Sequence, residues 1–483
     1  MEAAPWSQSA HPRPEYGKII AALSLGLALA AGLALRLWMF NSFFEVEGDS
    51  LVYGDLAKNL LLHGRYALTL PYGGLHPSLL RLPGYPLFLA FCFRLFGLEN
   101  YAAPCYLQIA LDLMGCLLLW NFVRRIAPPA LRTGASHCAL WLAALCPFTA
   151  IYSVLPLCES LTLFFLALAL WATVRFLDRA RWSTALCFTF AVTSIALLRP
   201  DGALAALALA PALLLSSRSR AGAQPRLLPM AVVCALLALA PFAVWTWRNW
   251  CVFHLVQPLA PRSATDPGTP TYPGWERWVA TWCLDYVSTY QIYWNVPGAP
   301  LHTDQLPDRA FDSPAQRAET EALALAYNGN GFELTRGLDA GFARLAAQRT
   351  ATHPLRTYLW LPLGRLAGMW LRPRTENLPV DLDWWVYSHH HAETRFSWAY
   401  AGLNLLYLLL ACAGLCLRPR LWRALLAYLL LRSVLLLTIT APEPRYTIEG
   451  FPLLIVLGGL ALYRFTYWVW LSVLKVNASP GNA

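Results

Sequence analysis

The sequence predicts an all-α polytopic membrane protein with about ten transmembrane helices and outward-facing loop subdomains. Of the 483 residues, 57% are hydrophobic and only 13% are charged, whereas soluble domains contain about 25% charged residues. The mean hydropathy is +0.44. A membrane span needs about 20 mainly apolar residues, and ten windows approach or reach that length, beginning with residues 19–40. The bilayer is therefore the expected solvent for most of the chain.

The remaining nine windows follow along the whole chain. They are 103–123, 137–157, 161–177, 183–198, 202–216, 227–247, 397–417, 422–440 and 450–471. If Lys18 faces the cytoplasm, most Arg and Lys residues of the short loops fall on that same side, which predicts that both termini are cytoplasmic. The first window is long and no small-residue cleavage site follows it, so we expect it to be retained as an anchor.

These windows divide the chain into five parts. They are a cytoplasmic tail (1–18), a transmembrane module (19–247) that includes the first outward loop (41–102), an outward region (248–396), C-terminal transmembrane helices (397–471) and a cytoplasmic tail (472–483). In the outward region, helical spacing over 313–350 with an Asn-Gly-Asn-Gly interruption predicts a helical hairpin. Residues 353–372 carry Arg365 between apolar residues and are expected to lie at the membrane interface.

The charge and the cysteines exclude other classes of function. The formal net charge is +10, almost all of it from Arg, and much of it lies in predicted inward loops. It therefore indicates contact with anionic membrane lipids and not with nucleic acid. Most of the twelve cysteines lie in apolar windows without a CxxC pattern, so they are interpreted as small core residues. The run His389–His391 lacks the spacing of a metal site.

The first outward loop carries a group of carboxylates directly after the first window. They are Glu45, Glu47, Asp49 and Asp55. Carboxylates grouped at a membrane surface repel one another and face a low dielectric, which raises their pKa and prepares a group for proton transfer. Because residues 50–62 have a helical pattern, Asp49 is also a natural N-cap. Both roles are open for Asp49, and they can coexist.

Arginines on the same side of the membrane need an anionic partner. Arg81 precedes Leu-Pro-Gly-Tyr-Pro, where the prolines limit the direction of the chain. Held at headgroup level, it could bind a phosphate in a bidentate manner, although an interfacial arginine is the commoner case. Further polar groups stand at predicted outward ends of spans: Glu159, Arg199 with Asp201, Arg248, and Glu443 with Arg445 and Tyr446.

In their order along the chain, these motifs resemble the C-type glycosyltransferase superfamily, specifically bacterial relatives of the protein mannosyltransferases and of the aminoarabinose transferase (glycosyltransferase family 39-like). The motifs are Asp49-x-x-x-Tyr53, Arg81-x-Pro-Gly-Tyr-Pro-Leu, Pro-x-x-Glu159-Ser160, Leu-Arg199-Pro-Asp201, Trp-Thr-Trp-Arg248-Asn-Trp and Glu443-Pro-Arg445-Tyr446. The resemblance extends from about residue 19 to about residue 470.

The resemblance implies a glycosyltransferase that moves a sugar from a polyprenyl-phosphate donor to a lipid, glycan or protein acceptor. The reaction would occur at the outer face of a bacterial inner membrane, usually with inversion. Asp49 matches the catalytic carboxylate and would act as the general base, and Arg81 matches the donor-phosphate contact. Glu159 matches a second acidic position and is expected to be a catalytic residue that orients the acceptor. Such a displacement needs a base for the acceptor hydroxyl and cations for the departing phosphate.

Further residues are candidates for the same site. Arg248, Arg445 and Tyr446 are predicted to contact the donor phosphate, and a last group of candidates comprises Glu47, Tyr53, Asp55 and Arg199. Many members of the superfamily carry a metal-binding Asp-x-Asp in this loop, whereas this chain has Glu47-Gly-Asp49. A divalent ion is therefore possible, but neither a metal ligand nor an organic cofactor is predicted.

Two alternatives remain open from the sequence. A lipid-linked sugar flippase or transporter would need ionisable or polar residues at mid-bilayer depth, for which Gln108, Asp112 and Arg432 are the strongest candidates. A non-catalytic assembly factor would leave the acidic and Arg clusters without a role. The small number of mid-bilayer candidates favours the enzyme.

Overall fold

A computed structural model describes residues 14–218, 227–261, 265–386 and 390–477. Within these ranges the predicted all-α class is confirmed. The helices are α1 Pro14–Phe43, α2 Asp49–His63, α3 Gly84–Phe96, α4 Ala102–Ile126, α5 Arg132–Ala144, α6 Pro147–Val154, α7 Glu159–Asp178, α8 Trp182–Leu198, α9 Ala203–Arg218, α10 Leu227–Phe253, α11 Pro273–Ala280, α12 Tyr286–Gln291, α13 Pro314–Gly329, α14 Arg336–Thr352, α15 Leu361–Leu371, α16 His391–Cys416, α17 Trp422–Leu436 and α18 Phe451–Asn477.

Short elements connect these helices. The 3₁₀ turns are Pro129–Leu131, Pro200–Gly202, Tyr293–Asn295, Thr303–Gln305, Asp308–Ala310 and Pro444–Gly450, and a π-helical turn covers Arg356–Trp360. The described residues also contain one antiparallel pair of strands, β1 Ala67–Thr69 and β2 Leu75–Pro77, with Leu68 opposite His76. The sequence did not predict this hairpin in the first loop, because three-residue strands are too short to show alternation.

The protein is a multi-pass membrane protein by the length and composition of its helices. In the described ranges, six helices are long and apolar enough to cross a bilayer, and α5 with α6 forms a seventh if this pair, bent by 49°, is one span. The predicted number of ten is therefore approximate. The windows at α8, α9 and α17 correspond to helices of 17, 16 and 15 residues, which reach only about 22–26 Å at 1.5 Å per residue.

The helices differ in how much of their apolar surface the protein itself covers. In α7 and α18, 78% of the apolar window is buried, whereas the corresponding values are 11% for α1 and 6% for α10. A helix that is apolar on all sides is buried in a core or faces lipid. α7 and α18 are accordingly central, and α1 and α10 are peripheral and leave their apolar faces to the bilayer.

Charged groups mark both ends of α7. Glu159 is its first residue and Asp178 its last, so they are separated by about 29 Å, close to the hydrocarbon thickness of a membrane. At the far end, the Asp178 carboxylate pairs with Arg125 and Arg420, each at 2.6 Å. Two arginines that the sequence assigns to one side of the membrane therefore lie together at the end of α7 opposite Glu159.

The predicted outward region has a core of its own. Trp275, Trp278 and Trp282 are buried there together with Phe342. The predicted helical hairpin is confirmed as α13 and α14, and the Ser313 side chain caps α13 by accepting a hydrogen bond from the amide of Gln316.

The predicted interfacial segment is helical, but its arginine does not extend toward solvent. Arg365 is 3% exposed, and its Nε donates to the carbonyl oxygen of Cys283 at 2.7 Å. Tyr358 and Trp360 on the preceding turn are exposed. The position of this segment at a membrane interface stays a prediction.

Candidate functional site

Residues from six separate segments of the chain converge at the Glu159 end of α7. They come from the start of α2, the loop before α3, the start of α7, the turn between α8 and α9, helix α17, and the turn before α18. Of the residues singled out in the sequence, this convergence includes Asp49, Arg81, Glu159, Arg199, Arg445 and Tyr446. The order of the motifs along the chain thus corresponds to one place in the fold.

Asp49 is held between two arginines. Its Oδ1 accepts a hydrogen bond from Arg81 Nη2 at 2.5 Å, and its Oδ2 lies 3.0 Å from Arg445 Nη2. Burial alone would raise the pKa of Asp49, but the charges of Arg445 and Arg81 outweigh burial and hold the pKa below its ordinary value. The raised pKa predicted for this carboxylate is therefore wrong.

The N-cap role considered for Asp49 is also wrong. Gly48 occupies the cap position with φ of 51°, a conformation that favours glycine, and no side chain caps the helix. Asp49 is instead the first helical residue, and its carboxylate turns away to the arginines. Asp49 therefore contributes its carboxylate to the site and does not cap the helix.

Arg81 is fixed by the short segment that leads into α3. Pro83 precedes the helix, and Gly84 begins it so close to α8 that a Cβ atom would lie 2.6 Å from the carbonyl oxygen of Leu197. Only glycine allows this approach without a shift of the backbone. The contact brings the Arg81 segment against the end of α8, where Arg199 follows.

Arg445 contacts three carboxylates. Its Nη2 pairs with Asp49, its Nε lies 2.8 Å from Glu443 Oε1, and the same Nε lies 3.9 Å from Glu159 Oε1. Glu159 Oε1 also accepts a hydrogen bond from Arg199 Nη1 at 3.0 Å. Arg445 therefore links the open part of the site, at Asp49, with its buried part, at Glu159.

Behind Glu159, two arginines share two carboxylates. Arg199 Nε lies 3.2 Å from Asp201 Oδ1 and 2.9 Å from Glu449 Oε1. Arg432 Nη1 lies 2.5 Å from Glu449 Oε2 and 3.0 Å from Asp201 Oδ2. Glu449 was not singled out in the sequence, although an acidic residue in an apolar helical segment is a signal of function or of a buried partner.

We call this set the site cluster. It comprises Arg81, Arg199, Arg432 and Arg445 with Asp49, Glu159, Asp201, Glu443 and Glu449. The side chains of Arg81, Asp49 and Arg445 are 20–26% exposed, whereas those of Glu159 and Arg432 are 2% and 0% exposed. A ligand can therefore reach the cluster at Asp49, Arg81 and Arg445, and the remaining charges support these three from behind.

Glu443 is a further residue of the site. Its motif was noted in the sequence, but no role was assigned to it. It is buried, and burial followed by the repulsion of Asp49 raises its pKa to about 7 despite the charge of Arg445. A carboxyl group with this pKa changes its protonation state near neutral pH. The motif alone did not indicate this pKa, because the burial of Glu443 comes from segments distant in the chain.

Other candidates lie beside the site cluster and support the first loop. Asp55 accepts hydrogen bonds from the amide and hydroxyl of Thr69 at 2.6 and 2.8 Å. Arg248 donates to the carbonyl oxygens of Ser78 and Tyr66 at 2.8 and 2.6 Å. These contacts hold the β1–β2 hairpin, and the chain leaves that hairpin toward Arg81. Their proposed direct roles stay predictions.

Two further candidates also surround the cluster. The Tyr53 hydroxyl lies 3.5 Å from Cys158 Sγ, and the Arg81 guanidinium lies 5.9 Å from the centre of the Tyr53 ring. Glu47 forms no ion pair with the cluster among the described residues. Tyr53 therefore packs beside Arg81, and Glu47 lies just before Asp49 in the chain without an ion pair to the cluster among the described residues.

Potential metal ligands meet at a different place. In the part of the chain that the structure describes, one group of at least three such side chains occurs, formed by Asp381, His390 and Glu393. His390 Nδ1 lies 3.8 Å from the Asp381 carboxylate and 3.7 Å from that of Glu393. Within the His389–His391 run, His389 lies outside the described residues. In the site cluster itself, guanidinium groups lie between the carboxylates.

The comparisons with solved structures give distant similarities. The chain is similar to the archaeal oligosaccharyltransferase AglB from Archaeoglobus fulgidus in complex with an inhibitory peptide and a dolichol-phosphate, with 14% identity, a TM-score of 0.48, and coverage of 97% of this chain and 53% of that one. The complex of that enzyme with Zn and sulfate has 13% identity and a TM-score of 0.49, with coverage of 94% of this chain and 51% of that one. ArnT from Cupriavidus metallidurans bound to undecaprenyl phosphate has 14% identity and a TM-score of 0.34, with coverage of 91% of this chain and 77% of that one.

The chain thus spans about half the length of the archaeal enzymes it matches. A search of curated proteins found no significant match. Residues 76–245, which contain Arg81, Glu159 and Arg199, match the model of the family described as dolichyl-phosphate-mannose-protein mannosyltransferase. Over these residues, which are less than half of the chain, the match agrees with the resemblance to the C-type glycosyltransferase superfamily.

Proposed function

We propose that this protein is a membrane glycosyltransferase that moves a sugar from a polyprenyl-phosphate donor to an acceptor at the outer face of a bacterial inner membrane. The observation that carries the proposal is the pairing of Asp49 with Arg81 and Arg445 at the exposed edge of the buried site cluster. The family match over residues 76–245 supports the same class of reaction. The acceptor is a lipid, a glycan or a protein that carries a nucleophilic hydroxyl group.

Arg81 and Arg445 suit the phosphate of such a donor. Guanidinium groups bind phosphate oxygens through strong, directed hydrogen bonds, and both groups lie at the part of the cluster that is open to a ligand. In the structure their Nη2 atoms are engaged by Asp49. A donor phosphate would compete with Asp49 for them, so that binding of the donor would free the carboxylate.

Once freed, Asp49 can serve as the general base. The acceptor oxygen forms a bond to the anomeric carbon, the bond from that carbon to the phosphate oxygen breaks, and the acceptor proton passes to Asp49. The polyprenyl phosphate leaves with the bonding electron pair, and Arg81 and Arg445 stabilise its additional charge. A single displacement of this kind inverts the anomeric configuration.

Glu159 contributes to the reaction through Arg445 and Arg199. Its side chain is 2% exposed and its Oε1 faces both guanidinium groups, so it does not lie at the open edge where an acceptor would enter. We assign it the role of a positioning residue that fixes the direction of Arg445. Removal of this carboxylate would take one anionic partner from Arg199 and from Arg445, and loss of a partner from a buried ion-pair network is destabilising.

The flippase alternative receives less support from the contacts. Asp112 pairs with Arg36, Gln108 contacts the Tyr85 hydroxyl at 2.7 Å and the carbonyl oxygen of Leu155 at 2.8 Å, and Arg432 pairs with carboxylates of the site cluster. Each of the three candidates is thus engaged within the protein. None of them is left to accompany a substrate across the bilayer.

The test is transfer of radiolabelled sugar from a polyprenyl-phosphate donor, assayed in membranes that contain the full chain. We expect transfer by the wild type and at least a 100-fold loss in Arg81→Gln. Arg317→Gln is the matched control, because Arg317 is a partly exposed arginine of the predicted outward region that pairs only with the exposed Asp308 among the described carboxylates. The proposal is contradicted, and the flippase is favoured, if no donor supports transfer and the labelled donor moves across vesicle membranes.

A further inference from the structure

Glu443 is one of four members of the site cluster whose hydrogen bonding is incomplete among the described residues; the others are Arg81, Arg445 and Glu449. Glu443 Oε1 lies 2.8 Å from Arg445 Nε. Its Oε2 is buried and has no hydrogen-bond partner in the part of the chain that the structure describes, and the whole side chain is about 6% exposed. Buried carboxylate oxygens are almost always hydrogen-bonded, so such an exception calls for a functional explanation.

The surroundings of Glu443 are rich in negative charge. The titratable or charged groups that face it from the packed segments are Arg445, Asp49, Glu376, Glu159, Tyr446, Tyr152 and Tyr286. Among these groups Arg445 is the cation and three others are carboxylates. The site cluster as a whole contains five carboxylates and four arginines, so it carries one excess negative charge when Glu443 and the other four carboxylates are ionised.

We propose that Glu443 takes up a proton when the phosphate group of the donor enters the site, and that this neutralisation releases Arg445 to the phosphate. The inference rests on the proposed function for the identity of the donor. It requires only that a phosphate anion bind between Arg81 and Arg445. Glu443 acts through Arg445 and is therefore a positioning residue.

The backbone around Glu443 explains why the change has to occur in the side chains. Arg374 donates to the carbonyl oxygen of Pro444 at 2.9 Å and also to the Thr447 hydroxyl. Pro444 fixes the first position of the 3₁₀ turn that carries Arg445. Because this turn is held, Glu443 and Arg445 cannot move apart with the backbone. Loss of the carboxylate charge is the direct way to weaken their pairing.

The direction of the pH effect follows from the same surroundings. The pKa of Glu443 is already raised to about 7, and a phosphate anion nearby raises it further. Binding is therefore accompanied by proton uptake at pH values above about 7, and affinity falls as the pH rises. Below this range Glu443 is already protonated, and affinity no longer depends on it.

The test is binding of a short-chain isoprenyl phosphodiester to the purified full chain between pH 5.5 and 8.5. A phosphodiester keeps a single negative charge over this range, so its own titration does not contribute. For the wild type we expect affinity to fall by up to about tenfold per pH unit above 7. Calorimetry in buffers of different ionisation enthalpy should show uptake of up to about one proton at pH 8.

Glu443→Gln mimics the protonated residue and should bind the phosphodiester with little dependence on pH, and more tightly than the wild type at pH 8.5. Glu443→Asp should retain the pH dependence, although its midpoint can shift. If Glu443→Gln keeps the wild-type pH dependence, or if the wild type binds without proton uptake, the inference is overturned. Because the wild-type proton count needs no variant, misfolding of Glu443→Gln would not leave the inference untested.

Failure of the inference and failure of the proposed function have different signatures. Binding with proton uptake but without sugar transfer would contradict the proposed function and support the inference. If the wild type transfers sugar but Glu443→Gln binds the phosphodiester with the wild-type pH dependence, the proposed function is supported and the inference is contradicted. Absence of phosphodiester binding at every pH would contradict the inference directly.

Discussion

Two buried arginine–carboxylate sites of the protein differ in how completely their groups are paired. Between α1 and α4, Arg36 donates to Asp112 at 2.6 Å and to the carbonyl oxygens of Gly32 and Ala144 at 2.9 and 2.7 Å. In the site cluster, Arg445 is divided among three carboxylates, and one oxygen of Glu443 has no partner among the described residues. Both sites are shielded, but only the site cluster has an exposed edge.

This difference separates a structural ion pair from a site prepared for a ligand. A buried pair with all of its hydrogen bonds made stabilises one arrangement of helices, and removal of one partner leaves a costly isolated charge. A buried network with incomplete pairing has a less favourable free energy and can rearrange when a ligand arrives: its arginines can donate to a phosphate, and a proton can satisfy the unpaired oxygen of Glu443. We therefore expect Arg36 and Asp112 to matter for folding and Asp49 with Arg445 to matter for transfer.

The sharpest test of this distinction is the pair Asp49→Asn and Asp112→Asn, which make the same chemical change in the two sites. Asp49→Asn should lower sugar transfer by about 1,000-fold, because the general base is lost, while thermal unfolding in detergent changes little. Asp112→Asn should destabilise the fold by about 3–5 kcal/mol, because Arg36 stays buried without an anion. The distinction is broken if Asp49→Asn unfolds the protein or if Asp112→Asn folds normally and abolishes transfer.

A second prediction concerns the shape of the cation at the exposed edge. Arg445→Lys keeps the charge but cannot span Asp49 and Glu443, because an ammonium group lacks the planar fork of a guanidinium. We expect donor affinity to fall by about 10–100-fold, equivalent to about 1.4–2.8 kcal/mol. Arg423→Lys, at the predicted cytoplasmic end of the bundle, is the control. Equal affinity in Arg445→Lys and the wild type would show that charge alone is sufficient.

The motifs of the sequence predicted the convergence of Asp49, Arg81, Glu159, Arg199 and Arg445, but not how they pair. The pKa of Asp49 was predicted in the wrong direction, because Arg445 approaches from the other end of the chain and its effect exceeds that of neighbouring carboxylates. The motif of Glu443 was noted, but no role was assigned to this residue, because its burial arises only after segments distant in the chain have packed together. Long-range electrostatics of this kind leave no pattern in a single sequence.

The fold shows the same division between local and distant information. Long apolar helices such as α4, α7 and α18 were predicted, because their length and composition are properties of the segment itself. The β1–β2 hairpin was not, since it depends on Arg248 and Asp55 from α10 and α2. The ten predicted windows exceed the six or seven structural candidates, because several apolar segments stop short of a full span.

The hairpin gives a third, smaller prediction. Arg248→Gln removes the charged donors to Ser78 and Tyr66 and should loosen the segment that leads to Arg81. We expect about a tenfold loss of transfer from misplacement of Arg81, with an increase in hydrogen exchange confined to residues 66–81. Direct contact of Arg248 with the donor would instead abolish phosphodiester binding while the hydrogen exchange of the hairpin stays unchanged.

The smallest effect is expected from removal of divalent ions. Arg445 lies between Asp49, Glu159 and Glu443, so its guanidinium already neutralises the carboxylates that a cation would otherwise bridge. EDTA should therefore change sugar transfer by less than about twofold. As a control, Asp381→Asn with Glu393→Gln removes the separate group of potential ligands and should behave in the same way. Loss of transfer with EDTA that Mn²⁺ or Mg²⁺ restores, while this double variant remains active, would locate an essential ion at the site cluster and show that Arg445 does not replace it.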